Sequence, residues 1–168
     1  MSLLAKASNK LVTICGIEIA TSGDVKVSNI ADWQPFYNSI IENANFEKVY
    51  IGYGSVTFAE QSTKTNAGTQ YKQKLEFRFP SNDPYRAQRI AFFEKTKFIR
   101  VLLTNGKSLL IGRNDFNQNA RPKVIVKSNQ HLTEVEIQTV SIFPTGFTPG
   151  SSSFGLPSLI PFTLIPTS

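Results

Sequence analysis

The sequence predicts an α+β protein that is mainly antiparallel β: a sandwich or barrel-like domain of about eight strands, with one or two short flanking helices and an extended C-terminal arm. Three observations predict this class. Apolar and polar residues alternate with a period of two in several stretches. Short clusters of turn-forming residues separate those stretches. Helical patterns occur singly between strands, whereas a parallel α/β sheet places a helix after each strand.

The first strand is predicted from Leu11 to Ala20, where apolar and β-branched residues surround Gly16. A glycine inside a strand favours a β-bulge. A turn follows, and Val25 to Val27 alternate again, so the sequence predicts a first hairpin. Apolar residues at helical spacing then predict a short helix from Asp32 to Ile41.

Two further strands are predicted, from Phe46 to Ile51 and from Ser55 to Ala59. A glycine-rich turn separates them, and glycine suits such turns because it tolerates positive φ. From Glu60 to Gly68 the chain is polar, and a loop is expected there.

The central block from Tyr71 to Gly112 carries the clearest signals. Apolar and charged residues alternate up to Phe79, which predicts a half-buried strand. Asp83 and Pro84 predict a helix start, because an aspartate accepts hydrogen bonds from free N–H groups and proline suits the first helical position. The helix is expected to end at Glu94. Its apolar side is predicted to comprise Ala87, Ile90, Ala91 and Phe93.

A hairpin is predicted in the second half of this block. Its strands are Phe98 to Thr104 and Lys107 to Gly112. Asn105 and Gly106 are expected to form a two-residue turn, since both residue types tolerate the positive φ that such turns require.

After the central block the sequence predicts a surface loop from Arg113 to Pro122 and a last hairpin. The hairpin strands are Lys123 to Lys127 and Leu132 to Ile142. On the second strand Glu134 and Glu136 alternate with apolar residues. The two carboxylates are therefore expected to share one solvent-facing side.

The composition excludes several classes of protein. With 168 residues and 40% hydrophobic content, the chain can bury one core. The net charge of +6 is spread along the chain and indicates an ordinary solubility charge. Cys15 is the only cysteine and His131 the only histidine, so neither an intramolecular disulfide nor a histidine-based metal site is expected. Cys15 is predicted to be buried in its strand and His131 to be a solvated turn residue.

No motif of an enzyme is present, and we expect neither catalytic nor cofactor-binding nor metal-binding residues. The first residues lack the apolar core of a signal peptide, and no apolar run is long enough to cross a bilayer. The expected protein is a non-enzymatic one made in the cytoplasm, without a membrane partner.

The division of the chain is predicted at a change in composition. Residues 1–143 form the mainly-β domain, and residues 144–168 form an apolar arm rich in proline and serine. Glu136 is the last charged residue, and frequent prolines favour an extended path. Large apolar side chains left in water are unfavourable, so the arm is expected to be covered.

Three states of the arm are compatible with its sequence: an edge strand on its own domain, docking on a neighbouring subunit, or disorder. In a docked arm the apolar residues would be the anchors, and the prolines would hold them extended. These residues are Leu156, Pro157, Leu159, Ile160, Pro161, Phe162, Leu164 and Ile165. A second contact is expected at the basic hairpin formed by Arg100, Asn105, Gly106 and Lys107.

Two other binding functions follow from aromatic residues. The stretch from Gly52 to Phe58 matches most of the aromatic strand of the RNA recognition motif, but Ile51 and Ser55 depart from it. A nucleic-acid-binding β module would use Tyr53, Phe58, Lys48, Lys72 and Lys74. A small-ligand or carbohydrate-binding sandwich would use Trp33, Tyr37 and Tyr85 for stacking.

Taken whole, the chain resembles small virion structural proteins of tailed bacteriophages. The resemblance rests on the strand end Phe77 to Pro80, the helix from Pro84 to Glu94, and the hairpin with strands Ile99 to Leu102 and Leu109 to Gly112. The apolar extension adds to it. The likeness is one of pattern, covers roughly Leu11 to Phe143, and transfers no functional residue.

The resemblance implies a tail or neck component in which a β-sandwich flanked by a helix assembles into rings. Its partners would then be copies of itself and other virion proteins, and its location the virion, after synthesis in the bacterial host cytoplasm. The basic charge could face DNA that passes through a lumen, without sequence specificity.

Overall fold

Two antiparallel sheets face each other across one apolar core, and a helix closes one side. The structure is a computed structural model that describes residues 12–25, 41–52, 54–112 and 120–148. Its strands are β1 (Ile14–Ala20), β2 (Asp24–Val25), β3 (Ile41–Glu42), β4 (Glu47–Lys48), β5 (Thr57–Thr65), β6 (Gly68–Pro80), β7 (Phe98–Leu103), β8 (Ser108–Ile111), β9 (Lys123–Ser128), β10 (Leu132–Ser141) and β11 (Phe147–Thr148), and its helix is α1 (Arg86–Glu94).

The five-stranded sheet has the order β11-β8-β7-β1-β4, and the four-stranded sheet has the order β5-β6-β10-β9. Strands β2 and β3 form a separate pair. All of these pairings are antiparallel. The predicted class, a mainly antiparallel α+β sandwich with a short helix, is confirmed.

The core forms because the strands alternate as the sequence predicted. Leu75, Phe77 and Phe79 of β6 are fully buried, while the charged residues between them face outward. Strands β1 and β7 supply the opposing face. The buried apolar cluster comprises Ile17, Ile19, Leu75, Phe77, Phe79, Phe93, Ile99, Val101, Leu103, Ile111, Val135 and Ile137.

Helix α1 closes the core through Phe93. Its ring meets Phe77 edge-on with 5.2 Å between centroids, and Phe79 with 5.9 Å. The predicted apolar side is only partly correct. Ala87 and Ala91 are exposed, because the side of the helix that faces the sheets carries Arg86, Ile90 and Phe93.

The helix start follows the predicted chemistry with a small shift. The Asp83 carboxylate accepts a hydrogen bond from the Tyr85 backbone N–H at 2.8 Å. Its other oxygen lies 2.6 Å from Nε of Arg89 in an ion pair. The helix begins at Arg86, two residues after Pro84. Asp83 therefore satisfies the N–H of Tyr85, the residue before the helix, and also holds the Arg89 side chain one turn further on.

The predicted bulge in β1 is confirmed, because the register with β7 shifts between Ile14 and Gly16. The predicted hairpin between this strand and Val25 to Val27 is wrong. Strand β1 pairs with β7 and β4, whereas Asp24–Val25 pairs with Ile41–Glu42. Alternation identified the strand but could not identify its distant partner. The helix predicted from Asp32 falls on residues outside the described ranges, except that Ile41 lies in β3.

The predicted loop from Glu60 to Gly68 is also wrong. Strand β5 continues to Thr65, and β6 begins at Gly68. Both faces of this long hairpin meet solvent, so the sequence lacks the alternation by which strands are recognised. The strand predicted from Phe46 to Ile51 is shorter than expected and consists of Glu47–Lys48.

The hairpin of β7 and β8 has a three-residue loop where two residues were predicted. Leu103 N–H bonds to the Lys107 carbonyl at 3.0 Å, and Gly106 N–H to the Leu103 carbonyl at 3.1 Å. Gly106 has a φ of +85°, while Asn105 does not have a positive φ. This arrangement is a turn followed by a glycine bulge, in which only the glycine needs the left-handed conformation.

The last predicted hairpin, β9 with β10, is confirmed by continuous pairing from Lys123 to Ser128. His131 lies in its turn and is exposed, as expected. The prediction that Cys15 is buried is wrong. The residue is exposed, and its Sγ lies 3.4 Å from the Leu102 carbonyl oxygen. The bulge beside Gly16 displaces the strict alternation on which burial was predicted.

Replacing Phe93 by alanine should lower the free energy of unfolding by about 3–5 kcal/mol, because it leaves a cavity between helix and sheets. Chemical denaturation measures this change. The matched control is Phe147→Ala, where the ring is 49% exposed and a loss below about 1.5 kcal/mol is expected. Equal losses at the two positions would show that Phe93 does not hold the helix in place.

Candidate assembly interface

The hairpin of β5 and β6 extends beyond the four-stranded sheet. Strand β10 covers β6 only from Pro80 back to Tyr71, where it ends at Ser141. Residues 68–70 of β6 pair with β5 alone. We call residues 63–70 the ribbon; all of them are exposed. A two-stranded ribbon has no core of its own and is marginally stable in water.

The four-stranded sheet has two free edges within the described residues. Strand β5 pairs only with β6, and β9 pairs only with β10. Natural proteins usually block such edges with proline, bulges or charges. Strand β5 has no proline, its pairing shows no register shift, and its only charged residues are Glu60 and Lys64. Alternate residues of this nine-residue strand therefore present unpaired N–H and C=O groups to the free edge, and no proline or bulge blocks them.

Glu60 ties the root of the ribbon to the chain that follows β10. Its Oε2 accepts hydrogen bonds from Nε2 of Gln73 at 3.1 Å, from the Thr145 backbone N–H at 2.7 Å and from the Thr145 hydroxyl at 2.6 Å. Gln73 is buried. One carboxylate therefore connects β5, β6 and the segment that leads to β11.

The start of the predicted arm lies on the edge of the five-stranded sheet. Phe147 pairs with Leu109 and Thr148 with Ser108. The Phe147 ring is half exposed, and Nζ of Lys107 lies 4.9 Å from its centroid. All eight predicted docking residues of the arm, from Leu156 to Ile165, lie outside the described residues.

The residues of the predicted basic hairpin contact do not lie together. Arg100 is in the middle of β7, where its guanidinium lies 3.0 Å from the Glu18 carboxylate and 3.9 Å from the Phe46 ring centroid. Asn105 and Gly106 lie in the exposed turn. The structure thus brings Lys107 to Phe147 but keeps Arg100 away, on the outer side of the five-stranded sheet.

Charged side chains cover the outer face of the four-stranded sheet. Lys74 lies 2.6 Å from Glu76 and 3.4 Å from Glu136. Arg78 pairs with Glu134 at 3.1 Å, and Lys127 lies 3.8 Å from Glu136. Glu134 and Glu136 do share this face, but Glu136 is only 7% exposed, which corrects the expectation of a solvated carboxylate. The long side chains around it cover it.

The network shifts the ionisation of two groups in opposite directions. A hydrogen bond from the Gln138 side chain lowers the pKa of Glu136 below its usual range, with a further contribution from Lys74, although burial acts the other way. The hydrogen bond to Glu76 is the main cause of the raised pKa of Lys74. Both shifts favour the charged forms, so the network is a stable ionic surface at neutral pH.

The residues considered for nucleic-acid recognition do not form one site. Lys72 and Lys74 lie on the outer face of the four-stranded sheet, whereas Phe58 packs against the core. Lys48 belongs to the other sheet. In the RNA-recognition-like stretch the Ser55 N–H donates to the Gly52 carbonyl at 3.1 Å, and residues 54–56 do not belong to a strand. Tyr53 lies outside the described residues.

The structure also does not show the residues considered for carbohydrate stacking together in one site. Tyr85 is exposed next to α1, and Trp33 and Tyr37 lie outside the described residues. Within the described ranges no group of three or more histidine, cysteine or acidic residues is placed to hold a metal ion. In the same ranges no helix is long and apolar enough to cross a membrane.

Comparison with known proteins gives no relative: no protein-family model, no curated protein and no solved structure matched this chain. The candidate surfaces therefore rest on geometry. Sequence reasoning missed the ribbon and Glu60. The threonines at positions 57, 63, 65 and 69 were the available signal, because β-branched residues favour strands even where no apolar alternation accompanies them.

The lowered pKa of Glu136 predicts a pH-dependent contribution to stability. The contribution is present above about pH 4.5 and is lost as the pH falls through the lower pKa of the folded state. The fall in melting temperature between about pH 5 and pH 3 should therefore be smaller in Glu136→Gln than in the unmodified protein. Glu94→Gln at the exposed helix end is the control and should leave the pH profile unchanged. Identical profiles for all three proteins would contradict the role of Glu136.

Replacing Glu60 by glutamine should loosen the segment from Ile142 to Thr148. All three hydrogen bonds end on one oxygen, Oε2, which the glutamine amide oxygen can replace, but the amide lacks the negative charge that strengthens such bonds. The loss should be about 1 kcal/mol, the difference between hydrogen bonds to a charged and to a neutral acceptor. Faster hydrogen–deuterium exchange in residues 142–148 would show it. The control Glu47→Gln, at an exposed position of β4, should leave that exchange unchanged, and an unaltered rate in Glu60→Gln would sink the assignment.

Proposed function

We propose that this chain is a non-enzymatic structural subunit of a bacteriophage particle, a tail or neck component that self-assembles into rings or tubes. Assembly uses the edges of the four-stranded sheet and the C-terminal arm. The observation that supports it most is the unguarded edge of β5, which continues into the exposed ribbon. A strand edge of this length is a template for pairing with another chain.

The strand directions favour a ring of identical subunits. Each strand of the four-stranded sheet is antiparallel to its neighbours, so β5 and β9 at the two edges run in opposite directions. A copy rotated about an axis parallel to the strands brings its β5 beside β9 of the first copy, again antiparallel. Repeating a head-to-tail contact of this kind generates a closed ring where the rotation closes.

The C-terminal arm supplies the second contact. It follows β11, which already lies at an edge of the five-stranded sheet. The sequence from Leu156 to Ile165 is apolar and uncharged, and its prolines reduce the entropy lost when an extended segment binds. Docking on a neighbouring subunit, by added strand pairing and burial of these side chains, would cover the apolar surface.

The β5 edge can be tested by proline substitution at adjacent positions, Ser62→Pro and Thr63→Pro. Backbone N–H groups of adjacent strand residues point to opposite sides, so one of the two substitutions removes a donor from the free edge and leaves the β5–β6 pairing intact. That variant should keep the far-ultraviolet spectrum of the unmodified protein and lose high-mass assemblies. Light scattering and negative-stain microscopy measure the result.

The arm is tested by deleting Leu156 to Ser168. Loss of rings in this deletion, with retention in both proline variants, would assign assembly to the arm alone. Unmodified protein that stays monomeric at high concentration would contradict the proposed function as a whole.

A further inference from the structure

A groove of about 520 Å³ lies on the outer face of the four-stranded sheet, at the end next to the ribbon. It crosses all four strands. Its lining includes Ala59 and Gln61 from β5, Lys72 from β6, Gln138 and Val140 from β10, and Lys123 from β9. The walls are therefore amides and lysines, and small apolar side chains form part of the floor.

The strand register explains this composition. Ala59, Lys74, Gln138 and Lys123 are consecutive cross-strand partners in one row, and Gln61, Lys72 and Val140 form the next row. Partners in such rows lie about 4.5–5.5 Å apart. Lys72 and Lys123 are on strands separated by β10 and lie in adjacent rows, so their backbones are roughly 12 Å apart.

The balance of charges leaves the groove positive. The carboxylates on this face are Glu76, Glu134 and Glu136, and each is already held by a cation. Their partners are Lys74, Arg78 and Lys127. Lys72 and Lys123 have no ion pair within 4 Å in the part of the chain that the structure describes. The unused positive charge of the face is thus concentrated in the groove.

Glu60 is the acidic residue that also lines the groove. Its Oε2 is occupied by the Gln73 and Thr145 donors described above. By register Glu60 lies beside Gln73 on the inner side of the sheet, whereas Lys72 and Lys123 lie on the outer side, so Glu60 secures the ribbon and makes no ion pair with either lysine. A bound anion would pair with the unpaired lysines of the groove.

We propose that this groove binds the phosphodiester backbone of DNA without sequence preference. The two unpaired lysines stand on different strands of one face, so a ligand that repeats its negative charges can contact both of them. Val140 and Ala59 provide apolar contact for the sugars between phosphates. Among the described residues that line the groove none is aromatic, so they offer no stacking platform for individual bases. The groove belongs to one subunit, so the inference holds independently of the proposed ring.

The test is fluorescence anisotropy of fluorescein-labelled 20-nucleotide DNA, single-stranded and duplex, with the full chain at about 50 and 200 mM NaCl. The double variant Lys72→Gln/Lys123→Gln should bind about tenfold more weakly at the lower salt. It should also reduce the slope of log affinity against log salt by about 1.4 for single strands and 1.8 for duplex, the values for two lost phosphate contacts. The matched control Lys48→Gln/Lys95→Gln changes the net charge equally and should retain affinity and slope.

Three results would overturn the proposal. The first is an absence of binding by the unmodified protein at the lower salt. The second is an equal loss in the control variant, which would show attraction to overall charge. The third is displacement of labelled DNA by polyglutamate at equal charge concentration, which would show that the groove does not prefer phosphodiesters.

Discussion

The packing of two apolar faces around Phe93 is the constraint on which the rest of the molecule depends. Leu75, Phe77 and Phe79 must face inward together, and a slip of one residue would place all of them in solvent. This fixes the register of β6 against β10. The same register then decides which side chains form the outer face. The ionic network and the groove are therefore consequences of the core.

Burying the apolar core leaves the edge strands of the sheets unpaired on one side. Hydrophobic burial satisfies the faces of a sandwich, while the edge strands keep unpaired backbone groups. In this molecule the β5 edge stays open and even lengthens into the ribbon, which no core residue requires. Glu60 then secures the root of the ribbon to Thr145. The β5 edge and the ribbon are not needed to form the core, and they are the physical basis of the proposed assembly.

The sequence predicted those elements that alternation and turn chemistry specify. Examples are the strand ending at Phe79, the bulge at Gly16 and the hairpin of β9 and β10. It could not predict the partners of β1, because pairing over long sequence distance depends on the whole core. It also missed the ribbon, whose two solvated faces carry no alternation. Glu136 was misjudged because its burial comes from long side chains on neighbouring strands.

The most direct test of edge assembly is hydrogen–deuterium exchange of β5 as a function of protein concentration. Free-edge amides exchange quickly in a monomer and become protected once another strand pairs with them. The account predicts slower exchange in residues 57–65 at concentrations where large particles form, while the exchange in the core of β6 stays unchanged. Large particles whose β5 amides exchange as fast as in the monomer would contradict it.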